Sequence, residues 1–379
     1  MAAERLSFPE HVLMTADAAG GVWTYAAELI PALGARGVRV SLAVLGPRAT
    51  AEQRAFLAET NVEIYQRECK LEWMESPWAD VESAGLWLLS LERSLKPDVV
   101  HLNGYAHAAL PWSNPVLVVA HSCVLSWWQA VKGCPAPERW AEYRRRVAAG
   151  LETADLIVGV SAGMLGEVER LYGPSGDRRV IRNARSSGLF RATQGKARII
   201  LAAGRVWDGG KNIGILEKVA PELPWPVYVA GEERSPEGRT ADLRNVRLLG
   251  RLAPVEMLGW FCRASIYVHP AYYEPFGLSV LEAALSRCAL ILSDIPSLRE
   301  MWDGCALFVT PEDANALSGA LRSLIASASL RGMLAARAYD RALGLNPNGM
   351  AEQYLEAYAA ALRNRQATAR RQEGRLCAS

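Results

Sequence analysis

The strongest constraint on this chain is alternation. Short Val/Ile/Leu-rich runs and segments of helical periodicity follow one another almost from end to end. Apolar runs at 11–15, 39–45, 99–102, 116–120 and 156–160 read as buried strands of a first half. Runs at 198–203, 227–230, 246–249, 266–269, 290–293 and 306–309 do so in a second. Helical patterns lie between them, at 22–36, 79–95 and 137–152, then at 213–219, 254–262, 278–286, 296–302 and 313–326. Continuous apolar strands separated by helices predict parallel sheets covered on both faces, an α/β architecture. The polar, turn-rich stretch Arg182-Asn183-Ala184-Arg185-Ser186-Ser187-Gly188 is the natural break. It leaves a doubly wound, Rossmann-like domain at 1–185 and another at 186–345. A second break near Asn346-Pro347 precedes an amphipathic helix at 350–363, expected to return to the first domain. The polar, basic segment 366–379 is expected to be a disordered tail.

Ligands of open parallel sheets sit at the carboxyl ends of the strands. Two such sheets facing across a cleft would point both sets of loops into it. The candidate residues fall just after strands. The most informative segment runs from His269 through Glu274-Pro275-Phe276-Gly277-Leu278-Ser279 to Glu282, with seven residues between the two glutamates. Pro275 and Gly277 mark a turn and Leu278 opens a helix. The first turn of that helix offers unpaired N–H groups to an anion. Glu282 and Glu274 are placed to accept hydrogen bonds from two diol-bearing rings on either side of a diphosphate. That arrangement describes a nucleotide sugar.

Gly204-Arg205 and Lys211 bracket a glycine-rich loop after the first strand of the second half. A guanidinium fork and a point charge there suit a diphosphate. Gly20 and Gly21 follow the first strand and open a helix, where paired glycines let a phosphate approach the backbone. His121 closes the strand at 116–120, and His101 with Asn103 closes the one at 99–102; a strand-end histidine is by default a packed, hydrogen-bonded residue. Twelve tryptophans are present. Of the first-half aromatics, Trp127, Trp128 and Tyr105 are the candidates to face an acceptor ring, although large aromatics are more often core. Arg144-Arg145-Arg146 reads as a solvated helix face, and any membrane contact through it is expected to be peripheral.

A formal charge of +2 over 379 residues gives no nucleic-acid footprint. The seven cysteines are scattered without a Cys-x-x-Cys pair, and no histidine has a partner at metal-ligand spacing, so neither a disulfide framework nor a metal is expected. No cofactor is implied. The amino terminus does not read as a signal peptide and no apolar run is long enough to span a bilayer, which points to a cytoplasmic protein.

With these segments placed, the chain resembles the retaining GT-B glycosyltransferases of the large bacterial family 4 (glycosyl transferases group 1), relatives of glycogen and sucrose synthases. The resemblance is strongest over 198–310. It rests on Gly204-Arg205 with Lys211-Asn212, Tyr228-Val229-Ala230-Gly231-Glu232, Leu249-Gly250-Arg251, Tyr267-Val268-His269-Pro270, the Glu-x7-Glu segment and Ile295-Pro296-Ser297-Leu298-Arg299-Glu300. The first half matches more loosely, through Gly20-Gly21 and the strand-end histidines.

The resemblance implies a nucleotide-diphosphate sugar as donor and a small-molecule or glycan acceptor. Arg205 and Lys211 would neutralise the diphosphate, supported by Gly204 and the amides around Phe276, Gly277, Leu278 and Ser279. Glu282 would bind the ribose and Glu274 the donor sugar. Arg251 would lie beside the base, Gly20 and Gly21 would close over the phosphates, and His121 would sit near the sugar. Uridine diphosphate sugars are the favoured donors, with guanosine diphosphate mannose and adenosine diphosphate glucose open. The implied mechanism is metal-independent, with same-face attack by the acceptor and no carboxylate nucleophile. The chain departs from the family in two places. Asn183-Ala184-Arg185-Ser186 stands where Asn-Gly-Val-Asp is usual. Asp208-Gly209-Gly210-Lys211 stands where a basic residue is often found two positions before the lysine.

Three other readings share the architecture. A nicotinamide dehydrogenase needs a three-glycine fingerprint that is incomplete here. A nucleotide-sugar epimerase would alter the donor without an acceptor, and a non-catalytic binder would hold it without turnover.

Overall fold

The computed structural model describes residues 8–60, 62–190, 195–234, 238 and 243–376. The chain divides into two compact units, one of residues 1–126, 136–184 and 347–379 and the other of 127–135 and 185–346.

The first unit is built on a seven-stranded sheet. Its strands are β1 (His11–Asp17), β2 (Arg39–Leu45), β3 (Glu63–Arg67), β4 (Val99–Leu102), β5 (Val116–Ala120), β6 (Leu156–Gly159) and β7 (Arg178–Val180). They lie in the order β3-β2-β1-β4-β5-β6-β7, and each pairing is parallel. The second unit holds β8 (Ala197–Ala203), β9 (Val227–Ala230), β10 (Arg247–Leu248), β11 (Ala264–His269), β12 (Ala289–Ser293) and β13 (Ala306–Val309). Their order is β10-β9-β8-β11-β12-β13, again parallel. Both sheets are doubly wound, as the alternation predicts.

The central strands carry the expected apolar runs because helices cover both their faces. Each residue of β11, β12 and β5 is buried. β3 and β7 were not foreseen. Both are edge strands, Glu-Ile-Tyr-Gln-Arg and Arg-Arg-Val, with no fully buried residue, so they lack the run that betrays a central strand. Helices at Ala51–Leu57, Val124–Lys132, Ala162–Tyr172 and Ala328–Leu343 also go beyond the sequence reading. Several have side-chain caps. Thr50 and Gln53 form a reciprocal capping box, and Ser161 and Ser327 accept from the amides three residues on.

The last helix corrects an expectation. It runs from Pro347 to Leu376, continuing through the segment expected to be disordered from Gln366. Residues 366–373 contain neither Pro nor Gly and consist largely of Ala, Arg and Gln, good helix formers. The amphipathic part of this helix packs in the first unit, where Tyr354 and Tyr358 are fully buried against Tyr25 and His101.

In each sheet the chain reverses its direction of winding beside the first strand, between β1 and β4 and again between β8 and β11. Crevices form at the carboxyl ends of strands at such switch points. The loops after β8 and β11 carry Gly204–Lys211 and His269–Gly277 to one of them.

Candidate active site

Of the sequence-predicted residues, the second unit brings Lys211 and Gly277 onto Glu274, together with His269. The Glu274 carboxylate Oε2 lies 2.6 Å from Lys211 Nζ and 2.9 Å from His269 Nε2, while Oε1 accepts from the amide of Gly277 at 3.0 Å. Ser297 Oγ donates to the Glu274 carbonyl at 2.5 Å, so the backbone is held as well. The Glu274 side chain is 12% exposed. Burial opposes its ionisation, but the Lys211 ammonium and the His269 hydrogen bond outweigh that and hold the carboxyl well below the usual carboxylate range. Burial in turn keeps His269 below its ordinary value. An ionised Glu274 can only accept, so neutral His269 donates through Nε2.

Local backbone chemistry explains why this cluster forms. Gly277 has φ +88°, in the left-handed region, and a Cβ there would press on Val280 at 3.1 Å. It turns the chain out of the loop and starts the helix Leu278–Leu285. Phe276 is buried, and Ser279 Oγ accepts from the Tyr267 hydroxyl at 2.8 Å. Asn212, also left-handed at φ +51°, ties Lys211 in place by donating to the carbonyls of Pro270 and Pro311 at 2.9 and 2.8 Å. Gly231 packs directly against the other loop: a Cβ there would lie 1.8 Å from the Gly204 carbonyl oxygen.

Arg205 is exposed and pairs with Asp208 at 2.8 Å. Asp208, 7% exposed, also accepts from the amide of Gly210 at 2.9 Å and from the Trp127 indole at 3.1 Å. Sequence reasoning noted this aspartate as a departure in the phosphate loop but gave it no partner, although an Asp ahead of two glycines is a signal for such a turn. Trp127, read as an acceptor-side aromatic, belongs to the second unit and caps this loop, with Trp128 edge-on to it at 5.9 Å. Glu282 forms an ion pair with Arg185 at 2.9 Å. Arg251 is exposed after Gly250, whose carbonyl accepts from Gly231 N at 2.8 Å.

In the first unit, Gly20 caps the helix Gly21–Gly34 in an extended conformation that any residue could adopt, and nothing lies within 4 Å of a Cβ built on it. Both glycines are exposed. His121 Nε2 is 2.8 Å from Asn103 Oδ1, and Asn103 Nδ2 donates to the Thr15 carbonyl at 2.6 Å. Burial lowers the His121 pKa to about 3. His101 is wholly packed between Tyr25 and Tyr358, with hydrogen bonds of 3.1 and 2.7 Å. Tyr105 is buried, and its hydroxyl donates to the Ser122 carbonyl at 2.8 Å.

Asp17, Glu72, Trp73 and Asn103 line two adjoining pockets at the β1/β4 switch point, each about 70 Å³; His121 and Tyr105 line one of them. Glu72 and Trp73 escaped the sequence reading because they lie in an irregular loop without a motif. Glu72 accepts from the amides of Tyr105 and Ala106, at 3.0 and 2.8 Å. Of the arginine triplet, Arg145 and Arg146 both pair with Glu142, and Arg146 also reaches Glu82 at 2.6 Å. Among the described residues, no group of three His, Cys, Asp or Glu side chains is gathered as a metal site, and no helix is long and apolar enough to cross a membrane.

Known proteins resemble this chain in sequence and in fold. The profile described as Glycosyltransferase Family 4 matches residues 19–185, and that of Glycosyl transferases group 1 matches 197–327. A glycogen synthase of Mycobacterium tuberculosis is 28% identical over 273 residues, a match that spans 64% of this chain and 64% of the relative's own length. Among solved structures, a sucrose-phosphate synthase from Thermosynechococcus elongatus superposes with a TM-score of 0.74 at 19% identity, covering 95% of this chain and 99% of that one. Anabaena HepE in complex with UDP-glucose superposes with a TM-score of 0.72 at 15% identity, covering 92% and 99%. With two doubly wound sheets, the Glu-x7-Glu turn at the second switch point and both profiles in register, the chain belongs to glycosyltransferase family 4 and has the GT-B fold.

Proposed function

We propose that the chain transfers a hexosyl group from a nucleoside-diphosphate sugar, a UDP-sugar by preference, to a hydroxyl acceptor with retention of configuration and without a metal. The observation that carries this reading is the Lys211–Glu274–Gly277 arrangement. A cation, a fixed carboxylate and a helix start converge at the carboxyl ends of β8 and β11. The diphosphate would lie on the amides that open Leu278–Leu285, flanked by Lys211 and Arg205, and Glu282 would accept from the ribose hydroxyls. Glu274 would accept from the donor sugar, its rotamer held by His269. The superposition with HepE, solved with UDP-glucose, supports the uridine preference.

As the glycosidic C–O bond breaks, negative charge grows on the departing phosphate oxygen. Lys211, Arg205 and the helix amides would meet it in place, without reorganising at the moment of reaction. The acceptor hydroxyl would attack from the same face and pass its proton to that oxygen, so Glu274 orients the sugar and forms no covalent bond. In the first unit, the β1/β4 pockets with Asp17, Glu72, Trp73, Asn103, Tyr105 and His121 are the proposed acceptor side. Any association with a membrane would be peripheral.

A thermal-shift panel of UDP, GDP and ADP, with and without chelator, tests the donor assignment, since a ligand binding only the folded state raises the melting temperature. UDP should give the largest rise, undiminished by EDTA. A panel of UDP-hexoses with sugar and polyol acceptors should then yield product of retained configuration. An altered nucleotide sugar released without acceptor would show an epimerase. Binding with neither transfer nor slow donor hydrolysis would leave a non-catalytic binder.

A further inference from the structure

We infer that Arg185 is a specificity-determining positioning residue of the nucleoside end of the donor site, holding Glu282 oriented to read the ribose diol. The inference rests on the proposed donor site, and in particular on Glu282 as its ribose ligand. Arg185 Nε lies 2.9 Å from Glu282 Oε1, and the two side chains are only 13% and 17% exposed. At that depth water screens the pair less than it would at the surface. Arg185 is also fixed from two further directions. Its amide donates to the Leu345 carbonyl at 3.1 Å, and its guanidinium stands over the Phe190 ring at 5.3 Å. An arginine so anchored constrains the carboxylate it meets.

Electrostatics give the arrangement its purpose. The proposed diphosphate site is flanked by two carboxylates, Glu274 and Glu282, and the buried Tyr267 hydroxyl lies in the field of both. An uncompensated Glu282 would repel the incoming anion. Glu274 and Glu282 each meet a cation, Lys211 and Arg185, and Asp208 beside them meets Arg205, which makes Arg185–Glu282 the third such pair. The third pair is a property of this chain, since Arg185 stands where the family resemblance leads one to expect valine, which could not form it.

The test is calorimetric titration of UDP, GDP and ADP, each beside its 2′-deoxy analogue, and of inorganic pyrophosphate, into wild type, Arg185→Met, Arg185→Lys and Glu282→Gln. A hydroxyl hydrogen bond to a charged acceptor is worth about tenfold in affinity or more, so wild type should prefer the ribonucleotide by about that factor. Arg185→Met should reduce the preference to about twofold while it still binds pyrophosphate and melts cooperatively, Glu282→Gln should do the same, and Arg185→Lys should restore part of it. An undiminished ribo-to-deoxy ratio in Arg185→Met overturns the inference and leaves the donor site standing. Absence of a 2′-hydroxyl preference in wild type removes Glu282 as the ribose ligand and the inference with it. If wild type binds none of the nucleotides, the proposed function itself falls, and this inference falls with it.

Discussion

Lys211 Nζ stands 2.6 Å from Glu274 Oε2, and that same oxygen takes the hydrogen bond of His269. A lysine proposed to meet a diphosphate thus rests against the carboxylate proposed to hold the sugar, eight residues before the carboxylate paired with Arg185. The pairing keeps Glu274 ionised despite burial, and it sets the ammonium on the same carboxylate that accepts from the Gly277 amide at the start of the helix. One contact therefore prepares both halves of the donor site.

Removing either partner should separate binding from turnover. Lys211→Ala should lower transfer by about a hundredfold or more, the scale seen when one preorganised charge-stabilising donor is lost, and should weaken UDP binding. Glu274→Gln keeps an acceptor for the Gly277 amide, so UDP, which carries no sugar, should bind nearly as well as to wild type while transfer falls about as far. Intact-protein mass spectrometry of wild type during turnover should show no sugar attached to Glu274. A glycosylated Glu274 would overturn the same-face mechanism.

Asp208 occupies Arg205 at 2.8 Å while accepting from Gly210 N and Trp127 Nε1 through its other oxygen. Asp208→Asn preserves that second role and deletes the charge. Arg205 is then left to the diphosphate, and UDP affinity should rise several-fold, roughly 1 kcal/mol for a half-exposed pair. Equal or weaker binding in a folded variant would show that Asp208 orders the loop and does not restrain the arginine.

How much of this was readable before the structure differs from residue to residue. The loops after β8 and β11 were, because their strands are buried on both faces and announce themselves as apolar runs, and because Pro275 and Gly277 carry turn chemistry. The edge strands β3 and β7 were not, since an exposed edge has no apolar signature. Partner choice was equally hidden. Asp208 against Arg205, Arg185 against Glu282 and Trp127 on the Asp208 loop are settled by tertiary packing, which a local pattern does not encode. Gly20, read as letting a phosphate approach the backbone, takes up an extended backbone with nothing within 4 Å of an added Cβ, so the need for a glycine there does not come from its own conformation.

Gly231 is the sharper glycine test. With the Gly204 carbonyl oxygen 1.8 Å from the position of an added methyl group, Gly231→Ala must push the loop after β8 away from β9. The clash is with backbone, so no side chain can yield. The variant should lose on the order of 3 kcal/mol of stability, and UDP binding with it, as Arg205 and Lys211 lie on the displaced loop. Gly20→Ala is the matched control, expected to melt within a degree or two of wild type. A stable Gly231→Ala variant would contradict the packing of these two loops.

His121 and His101 lead to a pH dependence with a definite sign. Burial lowers both to about 3, and His101 is depressed further by its neighbour His121. The unfolded chain protonates each near 6.5. Above that value neither state binds the proton and the histidines cost nothing. Between about 6.5 and 3 the unfolded state holds protons that the folded state refuses. Stability therefore falls as the pH drops through this window, by about 1.4 kcal/mol per pH unit for each such histidine. His121→Asn removes one of them and keeps a donor for Asn103 Oδ1. Urea denaturation of wild type and variant at pH 7 and pH 5 isolates the difference, because the remaining groups are common to both. The wild-type curve should lose more stability on acidification than the variant, by about one proton's worth. Parallel losses would mean that His121, which lines a pocket, takes up its proton in the folded protein as readily as in the unfolded chain.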